Sequence, residues 1–272
     1  MTELTVQTNP KPTPRLAGLI WGNAKVGKTT YAASSPGKKY IINLDPEGYI
    51  AVDHRDDVEV WDYSDQEPKR VIDFFTTKLG TRIDQSDAKP GDTFIFDSIT
   101  VMNQHGLMTA IANGVGESRS FKPSIEMPGL AAYGARTQYL IHSMQPVLRA
   151  TRRKGCNIWF IAHEDTPERN DKGDFLYQSI LMSDNAINQT SAAISEIWRM
   201  SVGTSNNREV FIRQTNLYKP MGSRIFRMDE GSSFKLKYDI DKPDLDQPHS
   251  IASLWQKYLD GNGQKLHAPN DK

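Results

Sequence analysis

The chain has 272 residues, 38% of them apolar, and its 33 basic and 33 acidic side chains cancel to a formal net charge of zero. This length and apolar share support one large α/β domain with short appendages, while the zero balance means a nucleic-acid partner must be argued from local patches, not overall charge. The lone cysteine, Cys156, allows neither an internal disulfide nor a zinc cluster, and no run approaches the roughly 18 apolar residues of a membrane span, so a cytoplasmic protein without membrane contact is expected.

In chain order, residues 1–14 hold three prolines among mostly polar side chains and read as a flexible N-terminal arm. The apolar run Leu16–Trp21 reads as a strand. It leads into Gly22-Asn23-Ala24-Lys25-Val26-Gly27-Lys28-Thr29-Thr30, which has the spacing G-x-x-x-x-G-K-T of a phosphate-binding loop that opens a helix. In such a loop the glycines let the backbone wrap an anion and the N–H groups face it. Lys28 is then expected to reach the β- and γ-phosphates, and the Thr29 hydroxyl to ligate Mg²⁺.

A second apolar strand, Lys38–Leu44, ends in Asp45-Pro46-Glu47-Gly48, and Val58–Tyr63 reads as a short third strand. A helix is predicted from Pro68 to about Lys78, closed by Gly80. Thr93–Ser98 is an apolar strand ending in Asp97, and residues 99–112 read as helical. The Gly-, Ser- and Pro-rich stretch 113–130 reads as a loop. A long helix over 131–153 is kinked at Pro146 and ends in a basic turn beside Gly155.

Asn157–Ala162 is another buried strand, ending in His163-Glu164. Residues 164–190 are polar and broken. Strand-like runs come next at 196–200, 209–213, 224–227 and 234–238, without helices between them, so an antiparallel C-terminal edge is expected. Residues 15–240 form the expected core, and 241–272 a short helix and polar tail. The βαβ alternation predicts a mostly parallel sheet with helices on both faces.

In open α/β sheets ligands sit outside the carboxyl ends of the strands. Four apolar strands here end in suitable groups: the phosphate loop, Asp45 and Glu47, Asp97, and His163. Asp97 fits an acid that holds the Mg²⁺ shell. Glu47 suits orientation of the water that attacks the γ-phosphate, and His163 suits a sensor of that phosphate.

This ordered set resembles the RecA-like P-loop ATPases, with Asp45 and Glu47 matching their Asp-x-Glu pair and His163 standing where they usually carry glutamine. It is most similar to phage RecA-like nucleotide-binding proteins, including the Sak-type single-strand annealing proteins, in Gly-Asn-x-Lys-Val-Gly-Lys-Thr-Thr, Leu-Asp-Pro-Glu-Gly, Phe-Asp-Ser-Ile-Thr, Ala-Ala-Tyr-Gly and Ala-His-Glu. The resemblance implies an ATP- and Mg²⁺-dependent ATPase acting on single-stranded DNA in an infected bacterial cell, as a ring or filament of identical subunits, with a single-strand binding protein as a further partner. It also implies a basic group donated by a neighbouring subunit, for which Lys219 and Arg224 are the candidates. The DNA-binding loops would be 113–130 and 164–190. Three other readings compete. A GTPase is disfavoured by the lack of Asn-Lys-x-Asp, a small-molecule kinase lacks an arginine-rich lid, and the third is a nucleotide-gated adaptor without DNA binding.

Overall fold

The computed structural model describes residues 15–46, 48–203, 208–226, 233–236 and 249–260. The arm at 1–14, Glu47, Arg227 and the tail from 261 lie outside them. The first unit is β1 (Ala17–Gly22), the phosphate loop and α1 (Lys28–Ala32), followed by β2 (Lys39–Asn43) and β3 (Val58–Asp62). Next come α2 (Pro68–Thr77), α3 (Leu79–Gln85), β4 (Thr93–Asp97), α4 (Ile99–Ala112), α5 (Gly129–Lys154) and β5 (Asn157–His163). The last third holds β6 (Glu168–Arg169), β7 (Phe175–Tyr177), α6 (Asp184–Ala193), β8 (Glu196–Val202), β9 (Arg208–Phe211), β10 (Gly222–Ser223), β11 (Ser233–Lys235) and α7 (Ile251–Leu259).

The main sheet runs β11-β9-β8-β1-β5-β4-β2-β3, with β10 also on β8. Every pairing from β8 to β3 is parallel, and β9, β10 and β11 pair antiparallel, as the sequence predicts. Strands β1, β2 and β4 are buried along their whole length. A parallel strand covered on both faces needs an apolar centre, which the sequence displays, while the ends of β2 and β4 bury the polar Lys39, Asn43, Thr93 and Asp97.

Alternate residues feed two cores. Leu19, Ile42, Phe96 and Phe160 pack with Phe75, Leu79, Leu140 and Met144 from α2, α3 and α5. Ile20, Ile41, Ile95 and Trp159 pack on the other face with Tyr31 of α1 and Leu254 and Trp255 of α7. Helix α7 is fixed to the core by the Ile251 N–H, which donates to Ser34 Oγ at 2.9 Å.

Three local expectations change. Gly80 does not stop a helix but lies inside α3, where a Cβ would sit 3.1 Å from Pro146 of α5. The broken stretch 164–190 contains the β6–β7 hairpin and most of α6, which is capped by Ser183 Oγ accepting from the Ala186 N–H. The strand expected over 224–227 is the two-residue β10, one step earlier.

Glu196, at the buried start of β8, anchors the segment after β10. Its Oε1 accepts from the N–H groups of Arg224 (3.0 Å) and Ile225 (3.1 Å), and Oε2 accepts from Trp198 Nε1 (3.1 Å). Burial outweighs these donors and pushes the carboxyl up to about 7. A carboxyl raised in the folded state is ionised first in the unfolded chain, so its contribution favours folding at low pH and is lost as pH rises from the ordinary carboxylate range through about 7. Relative to a Glu196→Gln variant, the native chain should lose about 3 kcal/mol across that window. Urea midpoints of both proteins from pH 4.5 to 8 measure this; a pH-independent difference would show that the donors keep the carboxylate charged throughout.

Candidate nucleotide site

Because β1, β2, β4 and β5 are parallel, their carboxyl ends meet at one edge. The register sets Gly22 beside His163 and Asn43 beside Asp97. At the loop's exit Gly27 has φ 90°, a left-handed conformation in which glycine carries no steric penalty. At its entrance a Cβ on Gly22 would lie 2.1 Å from the Met200 carbonyl oxygen, so no side chain fits there.

Lys28 is buried, and its ammonium donates to the carbonyls of Gly22 (3.0 Å) and Asn23 (2.7 Å). Desolvation pulls it down to about 8, against the attraction of Asp97, Asp45 and Glu164. Thr29 Oγ1 donates to Asp97 Oδ2 at 2.5 Å. Burial raises Asp97 to about 6, with the Thr29 hydroxyl opposing the shift. His163 closes the group from β5: its Nε2 lies 3.0 Å from Asp45 Oδ2, and its N–H donates to Thr100 Oγ1.

These side chains border one cavity of about 830 Å³, into which Ala24, Lys25, Gly27, Lys28, Thr29, Thr30, Asp45, Asp97 and His163 all open. One wall is formed by Ile50, Ala51 and His54 after β2, and Ile50 is 52% exposed. That wall offers an apolar and a π surface, suited to a flat heterocycle. Among the described residues no three His, Cys, Asp or Glu side chains group as a metal cage. A hydroxyl and one carboxylate in contact, beside a phosphate-binding loop, are nonetheless the donors that suit Mg²⁺, which completes its shell with phosphate oxygens and water.

Neither Lys219 nor Arg224 lines this cavity. Lys219 Nζ sits 3.9 Å from the centroid of the Tyr177 ring. The Arg224 N–H donates to the Ser195 carbonyl, beside Glu196, whose partner Gly18 lies near the start of β1. Arg224 is therefore at the opposite edge of the sheet from its own phosphate loop.

Two features escape the sequence reading. Arg208, the first residue of β9, reaches the cavity and donates from Nε to the Val26 carbonyl of the phosphate loop at 3.2 Å. Glu164 and Arg199 form a buried ion pair at 2.8 Å, capped by the Tyr218 ring 3.9 Å from the guanidinium carbon. The Glu164 N–H donates to the Gly22 carbonyl, which also accepts from Lys28, so this pair braces the loop's entrance. An arginine in the apolar run of β8 is the one sequence hint of it.

A family model described as AAA domain matches residues 15–232. Among solved structures, the crystal structure of the RadB recombinase is similar at a TM-score of 0.41, with 15% identity, over 76% of this chain and 85% of that one. Comparison with curated proteins gives no match. No helix among the described residues is long and apolar enough to cross a membrane. With the phosphate loop, the Asp97 strand and a mostly parallel sheet inside the matched span, the chain is an α/β P-loop NTPase and belongs to the AAA domain family.

Proposed function

We propose that the protein is a RecA-like ATPase that acts on single-stranded DNA as a head-to-tail homo-oligomer, in the manner expected of a phage annealing or recombination protein. The observation that carries the ATPase reading is the convergence of Lys28, the Thr29–Asp97 pair and the Asp45–His163 pair on one cavity. Lys28 and the loop N–H groups hold the β- and γ-phosphates of ATP. Thr29 and Asp97 would hold Mg²⁺, which would supply positive charge to offset that of the phosphates. Asp45 fixes the His163 ring at the γ-phosphate end. Glu47, two residues beyond Asp45, orients the attacking water. Ile50, Ala51 and His54 take the base.

The DNA reading is supported by the segments that follow β4 and β5 in the chain. Arg119 and Lys122 are exposed in the segment between α4 and α5, as are Arg169 and Lys172 on the β6–β7 hairpin. Ile125 and Met127 are 66% and 63% exposed beside the first pair and add apolar surface. The aromatics Phe121 and Tyr177 are partly covered, by Gly129 and Lys219. Contact with DNA therefore rests on phosphate pairing and aliphatic packing more than on open stacking platforms.

The test is the ATPase rate with and without single-stranded DNA, alongside a mass measurement. Turnover should rise with DNA, and DNA binding should require ATP and weaken steeply with salt. Slow turnover that ignores DNA would favour the nucleotide-gated adaptor, and phosphate transfer to a small acceptor would favour the kinase.

A further inference from the structure

Arg208 is a partly covered cation at the border of the nucleotide cavity. The more deeply covered Arg55 and Arg199 have carboxylate partners, Asp57 at 2.9 Å and Glu164 at 2.8 Å. Arg208 has none among the described residues, and a single long bond to a backbone carbonyl uses one of its five donors. Its position is fixed from several sides. It pairs with Val202 at the carboxyl end of β8, and its own carbonyl accepts from the Leu236 N–H at 2.8 Å. Strand β8 is parallel to β1, so this end of the sheet is the phosphate-loop edge. The bond to Val26 holds the guanidinium against the loop itself, at the border of the nucleotide cavity.

We infer that Arg208 is a nucleotide-positioning residue that contacts the polyphosphate in cis and ties the phosphate loop to the antiparallel edge of the sheet. The inference rests on the nucleotide reading of the cavity and assigns one more side chain to it. The chemistry favours phosphate. The remaining N–H groups form a planar fork matched to phosphate oxygens, and a cation without an acidic partner beside an anion-binding loop is electrostatically complete only when an anion arrives. Lys28 approaches from the floor of the loop and Arg208 from the outer strand, so the two grip the chain from different sides.

The experiment compares Arg208→Ala, Arg208→Gln and Arg208→Lys with the native protein, using calorimetric titration of ADP, ATP, tripolyphosphate and adenosine, with Lys28→Ala as reference. Arg208→Ala should weaken ADP, ATP and tripolyphosphate by about 10- to 100-fold and leave adenosine unchanged. Arg208→Gln keeps a donor for the Val26 carbonyl without the charge and should lose as much. Arg208→Lys should recover part of the affinity. Native affinity in the glutamine variant would reduce Arg208 to a loop tether, and an equal loss for adenosine would make it a base contact; either overturns the inference. If Lys28→Ala abolishes ADP binding while Arg208→Ala does not alter it, the inference fails and the phosphate-loop assignment stands. If the native protein binds neither ADP nor tripolyphosphate, both fail.

Discussion

Lys28→Ala should abolish turnover, by a factor of at least about 10²–10³, and weaken ATP binding. Lys28 sits where the backbone N–H groups of the loop cannot substitute for it, because it brings a full positive charge to the buried floor of the cavity. That charge is maintained at a cost: the side chain is buried, desolvation lowers it to about 8, and Asp97, Asp45 and Glu164 hold it protonated at neutral pH. The carbonyls of Gly22 and Asn23 aim it across the loop's mouth. Alanine removes the charge and leaves Asp45 and Asp97 near the bound phosphates with one cation fewer to offset them, so the loss exceeds that of one hydrogen bond. The measurement is steady-state phosphate release by the purified variant, with its melting temperature as a folding control. Unchanged turnover in a folded variant would sink the phosphate-loop assignment.

The parts legible in the sequence are those whose physics is local. A strand buried on both faces must be apolar through its centre, so β1, β2, β4 and β5 could be located, and the residues that follow their apolar runs marked the edge where ligands collect. The Thr29–Asp97 contact spans 68 residues yet was readable, because both halves belong to motifs with a fixed place in a parallel sheet. Elements set by tertiary packing were not. Helix α6 buries only Ala186, Ile187 and Thr190, too thin a stripe to show against its Asn, Ser and Thr. Gly80 looks like a stop because glycine ends many helices, but here it is small for the sake of Pro146 across the interface. Arg208 meets Val26 over 182 residues of chain, from a strand with no motif of its own, and nothing in the sequence marks that meeting. The sequence therefore offers Lys28 as the cation in cis for the β- and γ-phosphates, and the structure adds Arg208 at the border of the same cavity.

The second large effect concerns the charge developing on the γ-phosphate. Arg208 is tied to Val26, on the outer side of the loop. Arg224 lies at the far edge of the sheet, beside the start of β1, and cannot serve its own cavity. In the proposed head-to-tail assembly, the end of the sheet that carries Arg224 would face the ligand edge of the next subunit, and such a heterologous interface closes into a ring or extends as a filament. A basic group donated across that interface is worth about 10³-fold or more in rate. Arg224→Ala and Glu47→Gln should each be nearly inactive alone. Mixed in equal amounts, they should regain activity at about a quarter of the interfaces, those where an intact Glu47 site meets an intact Arg224. The readout is phosphate release from the mixture in single-stranded DNA, against each variant at the same total concentration. Recovery with Lys219→Ala in place of Arg224→Ala, and none with Arg224→Ala, would move the donated charge to Lys219. No recovery with either, from a particle that stays monomeric in ATP and DNA, would leave Arg208 and Lys28 to act alone and would remove the head-to-tail assembly from the proposal.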